Sequence, residues 1–561
     1  MFELLTTGLI FLSLIGGLGL PLAATAPFDP DERLCFAAVA GGLAVYLAAW
    51  VIYWCGLPPL AFGALPVTAG VALGWRRQAV WELFRAPEAR RLASLWLILA
   101  GWCLGWLAMI RSYSGGEWMS DWAEHYDRAR FFLEHQSLDT LFLGTYPLPA
   151  RPPLANLVTG AGLALAGTGF PAFQVFLALF STLSFLPAAL LARRFRGSLR
   201  GDAAPVLAVI LMLSPMFLQN TTFTWTKLPT AFFLLAGLHF LLRTGRAPDD
   251  PRTVCATGCL AAALLTHYSA APYVIVLAAW WIWQRRGDWR QPAFWRAALR
   301  PALVTVVLLA TWFAWSARHY GQATFLSNTV ATSSAGLTLL QQLQLRAENF
   351  FILIVPHPLR SAGYEFVEQT SRSGWWRDYF FNLYQTNLPL AFGSGGCVVL
   401  AVLLWRQRNR IDAFWAWFIS GTLLLNVATM FWNDRWGGMH IGLQPAVILG
   451  LAWIAANLPT LSRGLRAWLA LGLAVDFGLG IALHYRVQHL DFPRDVFSNY
   501  LGWALRVEHG NATWINFYVK CSHNLTFVGD SGIPVGVLGT LLVVLLGLAL
   551  RKAYRSRELP S

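Results

Sequence analysis

The hydrophobic positions of the chain form long continuous runs that do not alternate with polar positions. A helix needs roughly 20 apolar residues to cross the ~30 Å hydrocarbon core of a bilayer. Transmembrane strands would alternate with a period of two, so the continuous runs indicate helices. The pattern predicts an all-α polytopic membrane protein with about fifteen transmembrane helices. The predicted spans lie near 5–24, 34–55, 57–74, 92–111, 172–192, 203–219, 228–243, 253–267, 270–284, 300–317, 387–405, 412–431, 440–457, 466–484 and 533–550.

The composition agrees with a membrane protein. Of the 561 residues, 56% are hydrophobic and 12% are charged. The charged fraction is about half that of an ordinary soluble domain. The lipid bilayer is therefore the expected environment of most of the chain.

Arginines are concentrated in short connections that the predicted spans place on one side of the membrane. Because Lys and Arg resist translocation, this side is expected to be cytoplasmic. The connections lie near 76–91, 193–200, 243–252, 285–296, 406–410 and 551–555. Loops that face anionic headgroups account for the net charge of +14 without a nucleic-acid partner.

The first connection is the exception to this charge pattern. Asp29, Asp31 and Glu32 outnumber Arg33 there, although the span assignment places the connection on the cytoplasmic side. Two explanations remain open at this stage: the rule tolerates the exception, or the first three spans are miscounted.

Three long segments, 111–153, 318–386 and 485–533, are predicted on the opposite, extracytoplasmic side. They divide the chain into three regions. Residues 1–91 contribute extra transmembrane helices, residues 92–317 form a core that contains the first outer loop, and residues 318–561 add further helices with the other two loops. The expected location is the inner (plasma) membrane, with the functional site facing the periplasm or exterior.

Acidic, imidazole and guanidinium side chains crowd the first outer loop, shortly after an apolar run ends. Asp121, Glu124, His125 and Arg128 are spaced i, i+3, i+4 and i+7, which places them on one face of a helix. Ionisable groups beside hydrocarbon are costly unless they are paired or functional. The cluster is thus a candidate site, and the alternative is a solvated helix start with a His–carboxylate pair.

Further polar residues occur where outer connections meet predicted spans. Arg151 lies in a Pro-rich turn, Lys227 is one of only three lysines and begins an apolar run, and His267 and Tyr268 occupy the next outer connection. Each has a simpler interpretation: an interface anchor for Arg151, a snorkelling side chain for Lys227, and a hydrogen-bonded structural role for His267.

With Asp121 in the first outer loop and the run Arg151-Pro152-Pro153-Leu154 after it, the chain resembles the GT-C membrane glycosyltransferases that use polyprenyl-phosphate sugars. The nearest branch contains the bacterial enzymes similar to protein O-mannosyltransferases and lipid A aminoarabinose transferases. The resemblance extends over roughly residues 92–300. It implies a GT-C-like helical bundle with juxtamembrane helices on the outer face, and sugar transfer from a polyprenyl-phosphate donor to a hydroxyl or amine of a glycan, lipid or protein.

The resemblance and the chemistry together suggest roles for the candidate residues. An acceptor hydroxyl loses its proton as it attacks the sugar, and the leaving group is a lipid phosphate. Asp121 is the expected base, Glu124 its substitute, and His125 a group that positions the carboxylate or, when protonated, donates to phosphate. The residues expected to bind the phosphate or the sugar are Arg128, Arg151, Lys227, His267 and Tyr268.

Related enzymes often carry a second acidic residue in the outer loop that here reads NTTFTWTKLPT, and this chain has none there. A divalent cation prefers several oxygen ligands, so transfer without a metal or other cofactor is expected, with Lys227 in the place of the cation. Two other classes remain open. One is a polyprenyl-linked glycan polymerase or ligase, and the other is a lipid-linked glycan transporter or flippase, which would carry ionisable residues at mid-membrane.

Overall fold

A computed structural model describes most of the chain. The described residues are 2–110, 121–142, 146–197, 201–245, 250–328, 337–356, 383–385, 387–408, 412–429, 442–489 and 532–558. For some of these, Asp121 and Trp122 among them, only the backbone is described. Most of the predicted outer segment 485–533, and about half of the predicted outer segment 318–386, lie outside the described residues.

The first third of the chain is helical. Its helices are α1 (Phe2–Phe11), α2 (Gly17–Ala23), α3 (Pro30–Trp54), α4 (Ala64–Trp75), α5 (Arg77–Arg85), α6 (Pro87–Ala108), α7 (Asp121–Glu134), α8 (Leu154–Ala166), α9 (Phe170–Thr182) and α10 (Phe185–Arg196). A π-helical turn, Leu12–Gly16, joins α1 to α2. Between α7 and α8, the short strands β1 (Leu141–Phe142) and β2 (Tyr146–Pro147) pair antiparallel, with Phe142 opposite Tyr146.

The rest of the described chain is also helical. Its helices are α11 (Ala204–Leu213), α12 (Pro215–Thr222), α13 (Lys227–Arg243), α14 (Pro251–Thr266), α15 (Ala271–Gln284), α16 (Pro292–Tyr320), α17 (Ala323–Leu326), α18 (Leu339–Ile354), α19 (Leu388–Ala391), α20 (Ser394–Gln407), α21 (Ala413–Thr429), α22 (Gln444–Asn457), α23 (Arg463–His489) and α24 (Gly532–Glu558). The all-α prediction is confirmed for the described residues.

Five helical segments are long and apolar enough to cross a membrane: Leu4–Ala23, Pro30–Trp54, Pro87–Ala108, Phe170–Arg196 and Pro292–Tyr320. A sixth is obtained if the bent pair α11 and α12 is counted as one span. Several shorter apolar helices accompany them within the described ranges. The number of about fifteen spans stays a prediction.

The predicted span near 203–219 is broken into two helices. The axes of α11 and α12 differ by 74°. Pro215 lacks the N–H that a continuous helix would need, and Ser214 instead caps the new helix by accepting a hydrogen bond from the N–H of Phe217. After the break, α12 packs against α6 and α9.

Helix α8 is a short apolar helix that lies within the protein. Its 13 residues measure about 20 Å, which is too short for a span. However, Leu154 to Leu163 are all buried, and α8 packs against α3, α7 and α9. Protein rather than lipid surrounds it, so α8 is part of the framework behind the site.

The acidic first connection is paired with cationic residues from other helices. Glu32 accepts hydrogen bonds from Arg243 Nε at 2.9 Å and Arg252 Nη2 at 3.2 Å. Its Oε1 atom also lies 3.0 Å from Nε2 of His239, and the Glu32 side chain is buried. One carboxylate therefore ties α3 to α13 and α14.

A second group of ion pairs lies at the same end of the bundle. Arg193 of α10 contacts Asp31 at 2.5 Å and Asp202 at 3.1 Å. Because Arg193 belongs to the Arg-rich connections, the acidic first connection lies with them. Of the two explanations for its charge, the structure supports a tolerated exception, since the excess carboxylates neutralise neighbouring arginines.

We expect Glu32→Gln to lower the midpoint of thermal unfolding in detergent micelles, followed by tryptophan fluorescence. Removing one partner of a buried ion pair costs about 3–5 kcal/mol because the remaining charge is left uncompensated. Glu82→Gln is the control: Glu82 is exposed and accepts one hydrogen bond from Gln78. Equal shifts for the two variants would show that the Glu32 cluster contributes no special stability.

Candidate functional site

The candidate site is built by four segments: helix α7, the Pro-rich turn before α8, the start of α13, and the connection between α14 and α15. Residues Asp121–Glu134 form helix α7, so the acidic cluster is helical, which is the condition for its members to share one face. The side chain of Asp121 lies outside the described residues. The geometry of the site therefore rests on the side chains that follow it.

Glu124 is buried between two arginines. Its Oε1 atom accepts from Arg128 Nε at 2.9 Å, and its Oε2 atom lies 3.5 Å from Arg151 Nε. Burial alone would raise the pKa of Glu124, but the charges of Arg151 and Arg128 lower it to about 2. A carboxylate held in this way is a weak base, and its effect is to fix both guanidinium groups.

Arg128 is fully buried and is engaged by protein atoms. Besides Glu124, its guanidinium donates to the carbonyl oxygens of Leu148 at 2.7 Å and Pro147 at 3.4 Å. It also lies over the ring of Phe142, 4.2 Å from the centroid. Carbonyls in a Pro-rich turn have no helical partner, so Arg128 satisfies them and holds the turn against α7. These contacts favour a structural role for Arg128 over the substrate-binding role that the sequence predicted.

Arg151 lies at the end of the same turn and is less enclosed than Arg128. Its side chain is 15% exposed, against 0% for Arg128. The guanidinium donates to the carbonyl of Ala150 at 3.2 Å and lies over the ring of Tyr146. Because Glu124 orients it while part of it stays accessible, Arg151 is better placed than Arg128 to meet an anionic ligand.

His125 is buried on the side of α7 that faces α8. Its Nδ1 atom is 3.0 Å from Oδ1 of Asn156, a residue that the sequence analysis did not single out. Burial lowers the pKa of His125 to about 4, and the neighbouring arginines oppose its protonation. At neutral pH the ring is uncharged, which does not fit the predicted role of a protonated donor to phosphate.

Lys227 is the first residue of α13. Its Nζ atom lies 3.5 Å from the centroid of the Trp225 ring, and the side chain is buried. The N-cap residue, Thr226, makes no side-chain cap to the helix. The first amides of α13 and the ammonium group therefore lie at the same end of the helix, where the macrodipole favours an anion.

His267 and Tyr268 complete the site from the α14–α15 connection. Tyr268 donates through its hydroxyl to the carbonyl of Pro149 at 3.1 Å and accepts from Trp312 Nε1 at 3.1 Å. Burial first, and then the charges of Arg151 and Lys227, hold the pKa of His267 well below its ordinary value. These interactions show that the connection, the Pro-rich turn and the start of α13 are close together.

Asp127 lies on the same helix, three residues after Glu124. Its Oδ2 atom is buried and makes no hydrogen bond to the described part of the chain. Burial raises the pKa of Asp127 to about 7. Within the described ranges, no group of three His, Cys, Asp or Glu side chains is arranged to hold a metal ion. Transfer without a metal stays a prediction.

Comparisons with known proteins give one solved structure. No family model matches the chain, and no curated protein matches it. The chain is similar to the crystal structure of ArnT from Cupriavidus metallidurans bound to undecaprenyl phosphate. The two chains are 17% identical, the match covers 82% of this chain and 77% of that one, and the TM-score is 0.45.

The side chains of the site carry an excess of positive charge. Arg128, Arg151 and Lys227 are cationic, whereas Glu124 is the carboxylate that contacts the two arginines. The sequence analysis found these residues, although they come from segments that lie about a hundred residues apart. Among the described side chains of the site, the cations and the start of α13 are suited to an anion, while the neutral histidines are suited to uncharged polar groups.

Proposed function

We propose that the protein is an integral membrane glycosyltransferase that moves a sugar from a polyprenyl-phosphate donor to an acceptor on the extracytoplasmic face. The observation that supports this proposal is the convergence of Lys227, Arg151 and the start of α13 beside the acidic helix α7. A cationic recess beside an acidic residue is what displacement of a phosphate by a hydroxyl requires.

The phosphate of the donor would bind between Lys227 and Arg151. Lys227 supplies a point charge, and the positive end of the α13 macrodipole adds to it. As the bond between the anomeric carbon and the phosphate oxygen breaks, its electron pair moves to that oxygen. The two cations stabilise the charge that develops there, and polyprenyl phosphate leaves.

Asp121 is the proposed general base. It begins α7, one helical turn before Glu124 and His125. The acceptor oxygen or nitrogen attacks the anomeric carbon, and its proton passes to the Asp121 carboxylate. Glu124 is bound by two arginines, which favours Asp121 as the base and gives Glu124 a positioning role.

The position of the site along α13 supports its extracytoplasmic orientation. Lys227 begins this helix and Arg243 ends it, about 25 Å away along the axis. Arg243 belongs to the Arg-rich end of the bundle, which the positive-inside rule places in the cytoplasm. The site then faces the periplasm or exterior of the inner membrane, where the acceptor is a glycan, lipid or protein.

We expect Asp121→Asn to abolish transfer of radiolabelled sugar from polyprenyl phosphate in membranes while the protein level stays unchanged. General-base removal costs about 10²–10⁴-fold in rate. Asp139→Asn is the matched control, because Asp139 is an exposed carboxylate in the same loop. Undiminished transfer by the Asp121 variant would exclude Asp121 as the base, and lipid transport without transfer would favour a flippase.

A further inference from the structure

The Pro-rich turn that carries Arg151 has few backbone donors of its own. Four of the seven residues in 147–153 are prolines, which lack the N–H group. The N–H of Arg151 donates to the carbonyl of Leu148 within the turn, but this hydrogen bond is long at 3.4 Å. The position of Arg151 therefore depends on side chains from other segments that bind the carbonyls of the turn.

Three successive carbonyls of the turn are bound in this way. Arg128 of α7 donates to the carbonyl of Pro147 at 3.4 Å and to that of Leu148 at 2.7 Å. The next carbonyl, that of Pro149, accepts from the hydroxyl of Tyr268 at 3.1 Å. Helix α7 thus fixes the start of the turn, and Tyr268 fixes its middle.

The hydroxyl of Tyr268 has a defined direction of hydrogen bonding. A carbonyl oxygen only accepts, so Tyr268 is the donor to Pro149, and an indole N–H only donates, so Tyr268 accepts from Trp312 Nε1 at 3.1 Å. Burial raises the pKa of Tyr268, so the hydroxyl keeps its proton at neutral pH. Since Pro149 uses this proton, the bonds favour a positioning role for Tyr268 over the predicted contact with the sugar or phosphate.

Trp312 holds Tyr268 from a closely packed part of the bundle. The Trp312 side chain, on α16, is fully buried. It stacks on Trp315, with ring centroids 5.7 Å apart, and makes an edge-to-face contact with Trp50 of α3 at 6.4 Å. Helix α17, which follows α16, packs against Leu148–Ala150 of the Pro-rich turn. Trp312 lies beyond the region that resembles the glycosyltransferases, so the resemblance gives it no role.

We propose that Tyr268 and Trp312 are positioning residues for Arg151. The two hydrogen bonds, from Trp312 to Tyr268 and from Tyr268 to Pro149, fix the turn two residues before Arg151. The guanidinium itself is oriented by Glu124, whose Oε2 atom lies 3.5 Å from Nε. A cation that is held in place before the ligand arrives binds it at a lower entropic cost than a mobile one. This inference rests on the proposed function and deepens it by naming the residues that preorganise the phosphate site.

Tyr268→Phe keeps the ring and removes the hydroxyl that binds the Pro149 carbonyl and the Trp312 N–H. We expect the affinity of the full-length protein in micelles for undecaprenyl phosphate to fall about tenfold, the scale of one lost buried hydrogen bond. Tyr46→Phe is the matched control. Tyr46 is also fully buried, and its hydroxyl lies 2.5 Å from Oγ1 of Thr311 on α16. This bond leads to α16 and not to the turn, so the affinity should stay unchanged.

Double variants show whether Tyr268 acts through Arg151. Arg151→Gln removes the cation, so adding Tyr268→Phe should weaken binding no further. With Lys227→Met, which leaves Arg151 in place, Tyr268→Phe should still cause a loss of about tenfold. Additive losses with Arg151→Gln would mean that Tyr268 contacts the donor itself, and would overturn the proposal.

Trp312→Phe tests the first hydrogen bond of the pair. It should weaken binding about threefold, because Tyr268 keeps its bond to Pro149 but loses the donor that orients its hydroxyl. In the Tyr268→Phe background the same substitution should have no further effect on the affinity. A further loss in that background would overturn the role of Trp312, since it would then act independently of Tyr268.

The outcomes separate this inference from the proposed function. If Tyr268→Phe lowers the midpoint of thermal unfolding but leaves the affinity unchanged, the hydrogen bonds serve stability alone, and the inference is overturned while the proposed function stands. If the unaltered protein does not bind undecaprenyl phosphate, the proposed function is overturned and the inference falls with it.

Discussion

Lys227→Met is expected to reduce sugar transfer by about 100-fold or more, because a preorganised cation next to developing negative charge contributes on this scale. Methionine keeps an unbranched apolar side chain of nearly the same length against Trp225 but removes the charge. The affinity for bare undecaprenyl phosphate should fall together with the rate, since the ammonium group contacts the phosphate in both states. The measurements are radiolabelled transfer in membranes and equilibrium binding in micelles.

A matched control for this substitution lies at the other end of the bundle. Arg286 also lies over an indole ring, 4.0 Å from the centroid of Trp283, but in the Arg-rich connection after α15. Arg286→Met therefore removes a comparable cation–π contact far from the site and should leave transfer unchanged. If Lys227→Met behaves like Arg286→Met, Lys227 is an interface side chain and does not bind the donor.

The sequence pattern groups the candidate side chains of α7 but does not show their partners on other helices. Helical spacing alone places Glu124, His125 and Arg128 close together, and the structure confirms the helix that carries them. The partner of His125 could not be predicted, because Asn156 is 31 residues away and belongs to another helix. Local periodicity carries no information about such a pairing, which depends on the packing of α7 against α8.

Hydropathy also left the shapes of individual helices undefined. The apolar run that contains Ser214 and Pro215 is continuous in sequence, yet the chain bends there by 74°. The interior proline accounts for the break, but the angle depends on neighbouring helices. Likewise, the apolar character of α8 fits burial in protein as well as contact with lipid, and packing against α3 and α9 decides between them.

Glu124→Leu is expected to destabilise the protein by about 3–5 kcal/mol, because it leaves the fully buried Arg128 without its carboxylate. The double variant Glu124→Leu with Arg128→Met should recover part of this loss, since an apolar pair of similar volume avoids the desolvation of both ions. Recovery is incomplete because the carbonyls of Leu148 and Pro147 lose the donor that Arg128 provides. Thermal unfolding of the single and double variants gives the coupling between the two sites. If Glu124→Leu is as stable as the double variant, the unpaired charge of Arg128 has no measurable cost, and the ion pair does not stabilise the protein.

The pH dependence of stability follows from the same ion pairs. The pKa of Glu124 lies at about 2 in the folded protein, below its ordinary value of 4.5. The unfolded chain therefore binds the proton more readily, so the stabilisation is fully present above about pH 4.5 and is lost as the pH falls toward 2. The double variant lacks this contribution, so its stability should fall less than that of the unaltered protein between pH 4.5 and 2.

Sugar transfer should not recover with stability in the double variant, because Arg151 has lost the carboxylate that orients it. Full activity of the double variant would show that Glu124 does not position Arg151.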